Sequence, residues 1–507
     1  MDSVTTFTIL GIALYLLVIG IIGYKAWKTN ILGDSSDWYL MGRSAGMLML
    51  VGTLFATWFS TFAFLGGPGA FYASGVDWLL FGFFNSMGPL LIMFFGVRMW
   101  IIARRYGHIT PADMLAGYYD DSKRIRYLTA AICMTVLFPY AAIQLSGIAT
   151  ALASISNQLV PYEAGIIGLA ICVAVYAVIG GARAIIWTDV IQGFIFAALI
   201  VITAILVIGW SGGWAQGWQN AIAAQPDKFS FAGDTHGTYV TLLLLWTFGW
   251  VLTPHLWQRM YMARSASTLV SSSLIASFLA LLVVTFTGAI IGFLSMGMEV
   301  NLAGLSTDAL VPTLYREYLP IGGAVLVVAV FAAGMSTLDS QIMSASSVFS
   351  EDLYSRMGRS GSNTERGHVR AGRVFETVFV LLLVAFVLSD GGRQLLVPLA
   401  SIGVGMALSF LFPLLGCLFW PRASEAGAFY AMLSGWTVML LMQFGLLPNP
   451  GIYGPPLWGF IVSAITFYTV SMLTPPVSEA KRDAYHGLIA KTLCRRAAPE
   501  TEAGAAP

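Results

Sequence analysis

Apolar runs long enough to cross a lipid bilayer follow one another along almost the whole chain. A helix needs roughly 18 or more such residues to span ~30 Å of hydrocarbon. Only 10% of the residues are charged and 57% are hydrophobic, whereas soluble domains carry about 25% charged residues. The sequence therefore predicts an all-α polytopic membrane protein. We expect about 13 transmembrane helices, at 6–26, 45–73, 78–103, 127–155, 163–180, 184–210, 238–262, 271–298, 321–350, 371–389, 394–420, 425–447 and 457–475.

The basic residues orient these helices, because cytoplasmic loops of membrane proteins are enriched in Lys and Arg. With the C-terminus inside, only Lys228, Arg316 and Arg393 lie outside, and the other 23 of the 26 basic residues lie inside. We therefore expect a multi-pass protein of the cell (inner, cytoplasmic) membrane, with its N-terminus outside and its C-terminus cytoplasmic. The N-terminal run has no basic leader and no cleavage pattern, so it is expected to be retained as the first helix.

Composition and motifs disfavour several function classes. A net charge of +1 leaves no concentrated basic surface for nucleic acid. The chain has no phosphate-binding G-x-x-x-x-G-K-[ST] loop, no Gly-rich dinucleotide turn and no H-E-x-x-H zinc motif. Cys133, Cys172, Cys417 and Cys494 show neither a disulfide framework nor a metal spacing. We expect no enzyme activity and no required protein partner.

Two of the predicted helices look interrupted. The second has Ser60 and Thr61 in mid-span and a Gly-Gly-Pro-Gly segment at 66–69, and the seventh contains Gly249 and Pro254. In lipid, freed backbone groups must find partners, so a break at bilayer depth indicates a cavity that uses them. The two helices are five apart, as expected if helices 2–6 and 7–11 form inverted repeats around a midplane site. The alternative is that both are ordinary kinks, since Gly and Pro are common in membrane helices.

This scheme divides the chain into four parts. Residues 1–44 would form a peripheral first helix and a cytoplasmic loop. The regions 45–262 and 238–420 would contain helices 2–6 and 7–11 of the core. Residues 421–475 would add two peripheral helices, and 476–507 a cytoplasmic tail.

Helix 9 carries a group of side-chain oxygen atoms that could bind a cation. Ser336, Thr337 and Ser340 lie within about one turn of each other, with Asp339 among them. A dehydrated alkali cation favours such oxygen ligands, and unwound backbone near Ala56 and Phe59 could add carbonyl oxygens. Hydroxyls that only bond back to their own helix are the alternative.

Asp189 is a second candidate, because a carboxylate within a membrane helix is usually functional. It lies one turn from Gln192 at the inner end of helix 6, where it could guide an ion toward the cytoplasm. The alternative is a structural ion pair with Arg183 at the membrane boundary.

Four segments together resemble the sodium:solute symporter family: GGPGAFY, GGARAIIWTDVIQG, PHLWQRMY and AAGMSTLDSQIMSASSVFSEDLY. The resemblance covers helices 2–11 and implies a 5+5 inverted-repeat, LeuT-like core with Na⁺ as coupling ion. It implies a sodium site formed by the carbonyls of Ala56, Phe59 and Ala333 with the hydroxyls of Ser336 and Thr337. It also places a possible second ion, or an ion path, at Asp189, Asp339 and Ser340.

The same resemblance places the solute between helices 2, 3, 4, 7 and 11. There it nominates Ser60, Thr61, Tyr140, Gln144, Trp250, Thr253, His255 and Gln258. Trp250 could instead be a packing or interface aromatic, and His255 could cap the break at Pro254. No Lys or Arg is expected deep in this cavity.

The predicted function is sodium-coupled import of a small organic solute by alternating access. GGPGAFY together with RRYGHITPADML resembles the pantothenate and monocarboxylate members, which favours a carboxylate-bearing solute. The alternatives are a sodium- or proton-coupled symporter of a proline-like amino acid or a sugar, and a transporter-like solute sensor.

Overall fold

A computed structural model describes residues 3–30, 34–156, 158–231, 236–302, 304–357, 364–389, 396–451 and 453–497. The predicted outer residue Arg393 lies outside these ranges, as does the tail from 498. The first half contains α1 (Ser3–Trp27), α2 (Ser35–Leu40), α3 (Met47–Trp58), α4 (Gly67–Ser74), α5 (Leu79–Leu91), α6 (Val97–Tyr106), α7 (Pro111–Tyr118), α8 (Lys123–Ile155), α9 (Tyr162–Trp210) and α10 (Trp214–Ala224).

The second half contains α11 (His236–Leu242), α12 (Pro254–Met262), α13 (Ala266–Leu279), α14 (Thr287–Ser295), α15 (Leu310–Tyr318), α16 (Gly322–Ser347), α17 (Glu365–Val387), α18 (Leu396–Ala407), α19 (Leu411–Phe419), α20 (Glu425–Gln443), α21 (Pro455–Leu473), α22 (Glu479–Arg482) and α23 (Leu488–Ala497). Wide π-helical turns at Phe62–Gly66, Ile92–Gly96, Leu243–Gly249, Ala280–Phe286 and Val348–Leu353 continue several of these helices.

The second predicted span is broken, but not where its glycines lie. Helix α3 ends at Trp58, and Phe59 is extended with φ −104° and ψ 103°. The chain then resumes as the π-helical turn and α4, with helical dihedrals at Gly66 and Gly67. The predicted break at 66–69 is therefore wrong. Pro68 is tolerated because it follows the wide turn in the first turn of α4, where no backbone N–H is required.

The seventh predicted span is also broken. Thr253 is extended, with φ −66° and ψ 140°, and Pro254 begins α12. The axis bends by 51° between Tyr239–Leu252 and Pro254–Met262. Gly249 keeps helical dihedrals and ends the preceding π-helical turn, so the break follows from Pro254 alone, which suits a first helical position.

Eight helices in the described residues are long and apolar enough to span a membrane, or up to nine if the bent pair counts as one span. The thirteen predicted spans exceed this number partly because some apolar helices are interrupted. Met47–Trp58 and Tyr162–Val173 are apolar but shorter than a full span. Gly181, with φ 62°, also kinks α9 between the fifth and sixth predicted spans. The count of thirteen remains a prediction.

Helices α8, α9 and α16 form the centre of the molecule, with α3 and α1 packed against α9. Close approach of α3 to α9 depends on small side chains, because a Cβ at Gly52 would lie 2.7 Å from Val190. Helix α12 contacts both α3 and α16. The two breaks therefore both lie next to the uninterrupted helix α16, while α20 and α21 pair with each other.

Candidate ion and solute site

The two hydroxyls nominated on α16 meet the end of α3. Ser336 Oγ donates to the Ala56 carbonyl at 2.9 Å, and Thr337 Oγ1 donates to the same carbonyl at 3.3 Å. Both hydroxyls also lie within 3.3 Å of the Ala333 carbonyl of their own helix. Four of the five residues nominated for sodium therefore converge at one point.

The end of α3 explains why the Ala56 carbonyl is free to accept. The last four carbonyls of any helix lack partners within that helix, and α3 ends at Trp58. Phe59, the fifth nominated residue, is the extended residue that follows α3, so it lies directly after these helix-end carbonyls. The break thus provides backbone oxygens, and the continuous helix α16 provides hydroxyls, which together suit a small dehydrated cation.

A buried ionic cluster lies beside this point. The Thr53 hydroxyl donates to Asp189 Oδ2 at 2.6 Å, and Arg259 Nη2 lies 3.6 Å from the same oxygen. Arg259 also donates to the hydroxyls of Thr53 and Thr57 at 3.2 Å, and to that of Ser340. Its guanidinium therefore links α3, α9 and α16 through hydrogen bonds and one ion pair.

From the sequence, Arg259 is counted with the cytoplasmic cations, and no Lys or Arg is expected deep in the solute cavity. Its side chain is only 1% exposed, so a buried guanidinium that the sequence did not single out lies beside the proposed ion site. The available signal was that the predicted span 238–262 contains Arg259, one helical turn after His255. Arg183 pairs with Asp37 and Asn30, so the alternative of an Arg183–Asp189 pair is wrong.

The three residues nominated for a second ion are divided. Asp189 and Ser340 both bond to the buried cluster through Arg259. Asp339 is buried, and neither carboxylate oxygen has a hydrogen-bond partner in the described chain. It lies within electrostatic range of Asp189 and of Tyr15 on α1. The Tyr15 hydroxyl accepts from Gln192 at 2.7 Å, so the first helix reaches this region.

Four of the nominated solute residues lie together at the first break. The Thr61 hydroxyl donates to Gln144 Oε1 at 2.9 Å, and the Tyr140 hydroxyl contacts Ser60 Oγ at 3.3 Å. The Gln144 amide donates to the Tyr140 carbonyl at 3.1 Å. Residues 60 and 61 follow directly after extended Phe59, so the break points these hydroxyls at α8.

Aromatic rings extend this group toward the second break. Tyr140 packs edge-on against Trp250 at 4.9 Å and stacks on His255 at 5.9 Å between ring centroids. Thr253 Oγ1 donates to the Trp250 carbonyl at 2.8 Å and lies 3.5 Å from His255 Nε2. Trp250 is 1% exposed, so it is not an interface aromatic. Seven of the eight nominated residues therefore form one contiguous group.

Gln258 is the exception. Its amide donates to Ser347 Oγ at 2.6 Å, and Ser347 lies three turns after Ser336 along α16. The structure therefore connects Gln258 to the end of α16 that is predicted to be cytoplasmic.

Three polar atoms of the residues nominated for the solute have no hydrogen-bond partner within the described ranges: Trp250 Nε1, His255 Nδ1 and Gln258 Oε1. A buried donor or acceptor without a partner costs about 1–3 kcal/mol. A bound molecule that satisfies these atoms would therefore be stabilised.

Comparisons with known proteins give consistent results. A family-wide sequence model described as "Sodium:solute symporter family" matches residues 38–435. A sodium/pantothenate symporter of Escherichia coli (strain K12) is 28% identical over 445 residues, covering 84% of this chain and 88% of the relative. A sodium/proline symporter of the same strain is 26% identical over 502 residues, covering 95% and 96%.

Two solved structures share the fold. A Na⁺-coupled sialic acid symporter in a substrate-bound outward-open state has a TM-score of 0.77 at 19% identity, covering 93% of this chain and 99% of the other. Mhp1, a nucleobase-cation-symport-1 family transporter, has a TM-score of 0.57 at 17% identity, covering 89% and 99%. At these identities the likeness concerns the fold alone.

Proposed function

Because this chain belongs to the sodium:solute symporter family, we propose that it imports a small carboxylate-bearing organic solute together with Na⁺. Members of the family are sodium-coupled transporters rather than enzymes. The solute class, the ion site and the solute site are the proposed parts.

The proposal that the solute bears a carboxylate rests on the indole N–H of Trp250, which has no hydrogen-bond partner in the described residues and lies beside the start of α12. Thr253 precedes this helix without a side-chain cap, and a helix N-terminus favours negative charge. The donor and the helix dipole together would stabilise a carboxylate at the second break. Pantothenate, proline and sialic acid, the solutes named for the relatives, are all carboxylic acids.

Sodium coupling follows from the position of the proposed ion site. An ion held by Ala56, Phe59, Ala333, Ser336 and Thr337 would connect the broken helix to α16. Ser60 and Thr61 follow the same break, so an ion that fixes the end of α3 also positions two solute contacts. Ion and solute then favour the same conformation, and each raises the affinity for the other.

A second candidate is an amino acid such as proline. When His255 donates from Nε2 to Thr253, its Nδ1 is an acceptor, and this nitrogen has no partner in the described residues. An ammonium group could donate to it while the carboxylate binds Trp250. The free Gln258 Oε1 lies farther along the path.

The test is uptake of radiolabelled solute into proteoliposomes that contain the purified protein, because one Na⁺ moving with one carboxylate anion carries no net charge and gives no current. Pyruvate, acetate, pantothenate, proline and glucose are compared with and without a Na⁺ gradient, and with a pH gradient alone. Sodium-dependent uptake of an organic acid other than proline supports the proposal, and uptake of proline alone supports the second candidate. Uptake of glucose alone, or uptake driven only by the pH gradient, overturns it. No uptake, with folded protein, favours a solute sensor.

Trp250→Phe tests the proposed contact itself, because it keeps the ring and removes the N–H donor. The KM for the acid should rise about tenfold, the equivalent of one lost hydrogen bond to a charged group. Trp436→Phe on α20, where the indole N–H donates to Thr135, is the matched control and should leave KM unchanged.

A further inference from the structure

Glu376 is a buried carboxylate that the proposed ion and solute sites do not use. It lies on α17, is 1% exposed, and neither of its oxygens has a hydrogen-bond partner in the described structure. A charged carboxylate without a partner is strongly disfavoured in a buried place. It therefore requires either a bound proton or a bound cation.

The groups beside Glu376 carry oxygen atoms. Ser346 of α16 is next to the carboxylate, and Tyr39 of α2 is within electrostatic range. One turn earlier on α17, a Cβ at Gly372 would overlap the hydroxyls of both Tyr39 and Ser346, so glycine lets them approach. The Ser346 hydroxyl also lacks a partner among the described residues, and Ser350 donates to Tyr39 at 2.9 Å.

The cation nearest in sequence does not neutralise this carboxylate by contact. Arg373 interacts with Glu376 electrostatically, but its guanidinium lies over the Trp38 ring, 4.3 Å from the centroid. No ion pair joins the two side chains in the described ranges. The geometry therefore leaves the carboxylate open to a small cation.

The position of this group extends the ion site along α16. Ser346 follows Ser336 by about 15 Å at 1.5 Å per residue, toward the end predicted to be cytoplasmic. Asp339 lies between them and is in electrostatic range of both Asp189 and Glu376. Carboxylates thus continue from the proposed sodium site to Glu376.

We propose that Glu376, with the hydroxyls of Tyr39 and Ser346, forms a further cation site, separate from the residues nominated for either ion, which Na⁺ occupies on its way from α3 and α16 to the cytoplasm. This inference rests on the sodium coupling of the family and not on the identity of the solute. Oxygen-only ligands that include one carboxylate suit a hard monovalent cation better than a soft metal.

The test is equilibrium binding of radioactive Na⁺ to the purified full chain in detergent, without solute. The wild-type isotherm is expected to contain two components. Glu376→Gln should lose one of them, whereas Ser336→Ala should weaken the other about tenfold and leave the Glu376 component unchanged. Glu425→Gln at the start of α20, where the carboxylate bonds to Arg124 and Ser122, is the matched control and should bind as the wild type does.

Folding is checked by gel filtration and melting temperature. If Glu376→Gln is unfolded, Ser346→Ala takes its place and should weaken the same component at least severalfold. Sodium binding by folded Glu376→Gln that matches the wild type in amplitude and midpoint overturns the proposal. So does a pH dependence of uptake that disappears in Glu376→Gln while sodium binding is unchanged, because the carboxylate then carries a proton. If Ser336→Ala leaves both components unchanged while Glu376→Gln still loses one, the proposed sodium site is contradicted and the site at Glu376 stands.

Discussion

The guanidinium of Arg259 lies 3.6 Å from the carboxylate of Asp189, and both side chains are buried. Arg259 belongs to α12, which follows the second break, and Asp189 belongs to α9. Thr53 of α3 is hydrogen-bonded to both side chains. This pair connects α12 to α9 near the proposed ion site.

Removing either charge alone should be more harmful than removing both. Asp189→Asn or Arg259→Gln leaves a buried charge without its partner, at a cost of about 3–5 kcal/mol. The double variant should recover part of the melting temperature lost in each single variant, as measured in detergent. Additive losses in the double variant would show that the two side chains do not stabilise each other.

Ser336→Ala or Thr337→Ala should raise the sodium concentration for half-maximal uptake about tenfold, equivalent to about 1.4 kcal/mol of binding free energy. The reason is the loss of one hydroxyl oxygen from the proposed ion site. Uptake is measured across a sodium series in proteoliposomes. Ser273→Ala is the control, since its hydroxyl donates to Leu269 of its own helix. Unchanged sodium dependence in both variants argues against the site.

Gly69→Ala should slow transport while leaving sodium binding intact. A Cβ at Gly69 would overlap the carbonyl of Thr307 in the segment before α15, which we expect to cover the outer side. The extra methyl group would hold this segment away from α4. Turnover should fall about tenfold, roughly 1.4 kcal/mol in the barrier. Gly20→Ala, with no heavy atom within 4 Å of the new Cβ, should be neutral. Equal effects of both substitutions would point to helix propensity instead.

Acid should loosen the contact between the C-terminal segment and the loop after α6. Burial lowers the pKa of His108 to about 4, and its ring lies beside the Tyr485 hydroxyl at 3.4 Å. Asp113 opposes the shift, while Arg43 and Arg126 add to it. Since an exposed histidine titrates near 6.5, protonation favours the unfolded state. The contribution of neutral His108 to the free energy of unfolding is fully present above pH ~6.5. It should decrease by about 3 kcal/mol as the pH falls to 4.

The measurement is the melting temperature in detergent between pH 7.5 and pH 5, compared with His108→Gln, which has no titratable ring. The difference between the two proteins should grow as the pH falls. Parallel curves would assign the acid sensitivity to other groups.

Local chemistry explains what could be predicted from the sequence. Apolar runs indicate membrane helices because lipid requires every backbone group to be satisfied within the segment. Pro254 marks a helix start because proline lacks the N–H that this position does not need. Ser336, Thr337 and Ser340 are recognisable in the sequence because three hydroxyls lie within about one turn of a membrane helix. The first break was misplaced at 66–69, because glycine and proline permit a break but do not require one.

Contacts between distant segments were decided only by the tertiary structure. In the sequence Arg259 is one basic residue near the cytoplasmic end of a predicted span, and only the packing of α12 against α3 and α16 buries it with Asp189, 70 residues earlier. In the sequence, nothing distinguishes Glu376 from the rest of the 25 acidic residues. Only the packing of α17 against α16 places Ser346 beside its carboxylate. Sequence periodicity defines which face of a helix is polar, but the partner of that face depends on how all helices pack, and therefore the buried charges could not be paired in advance.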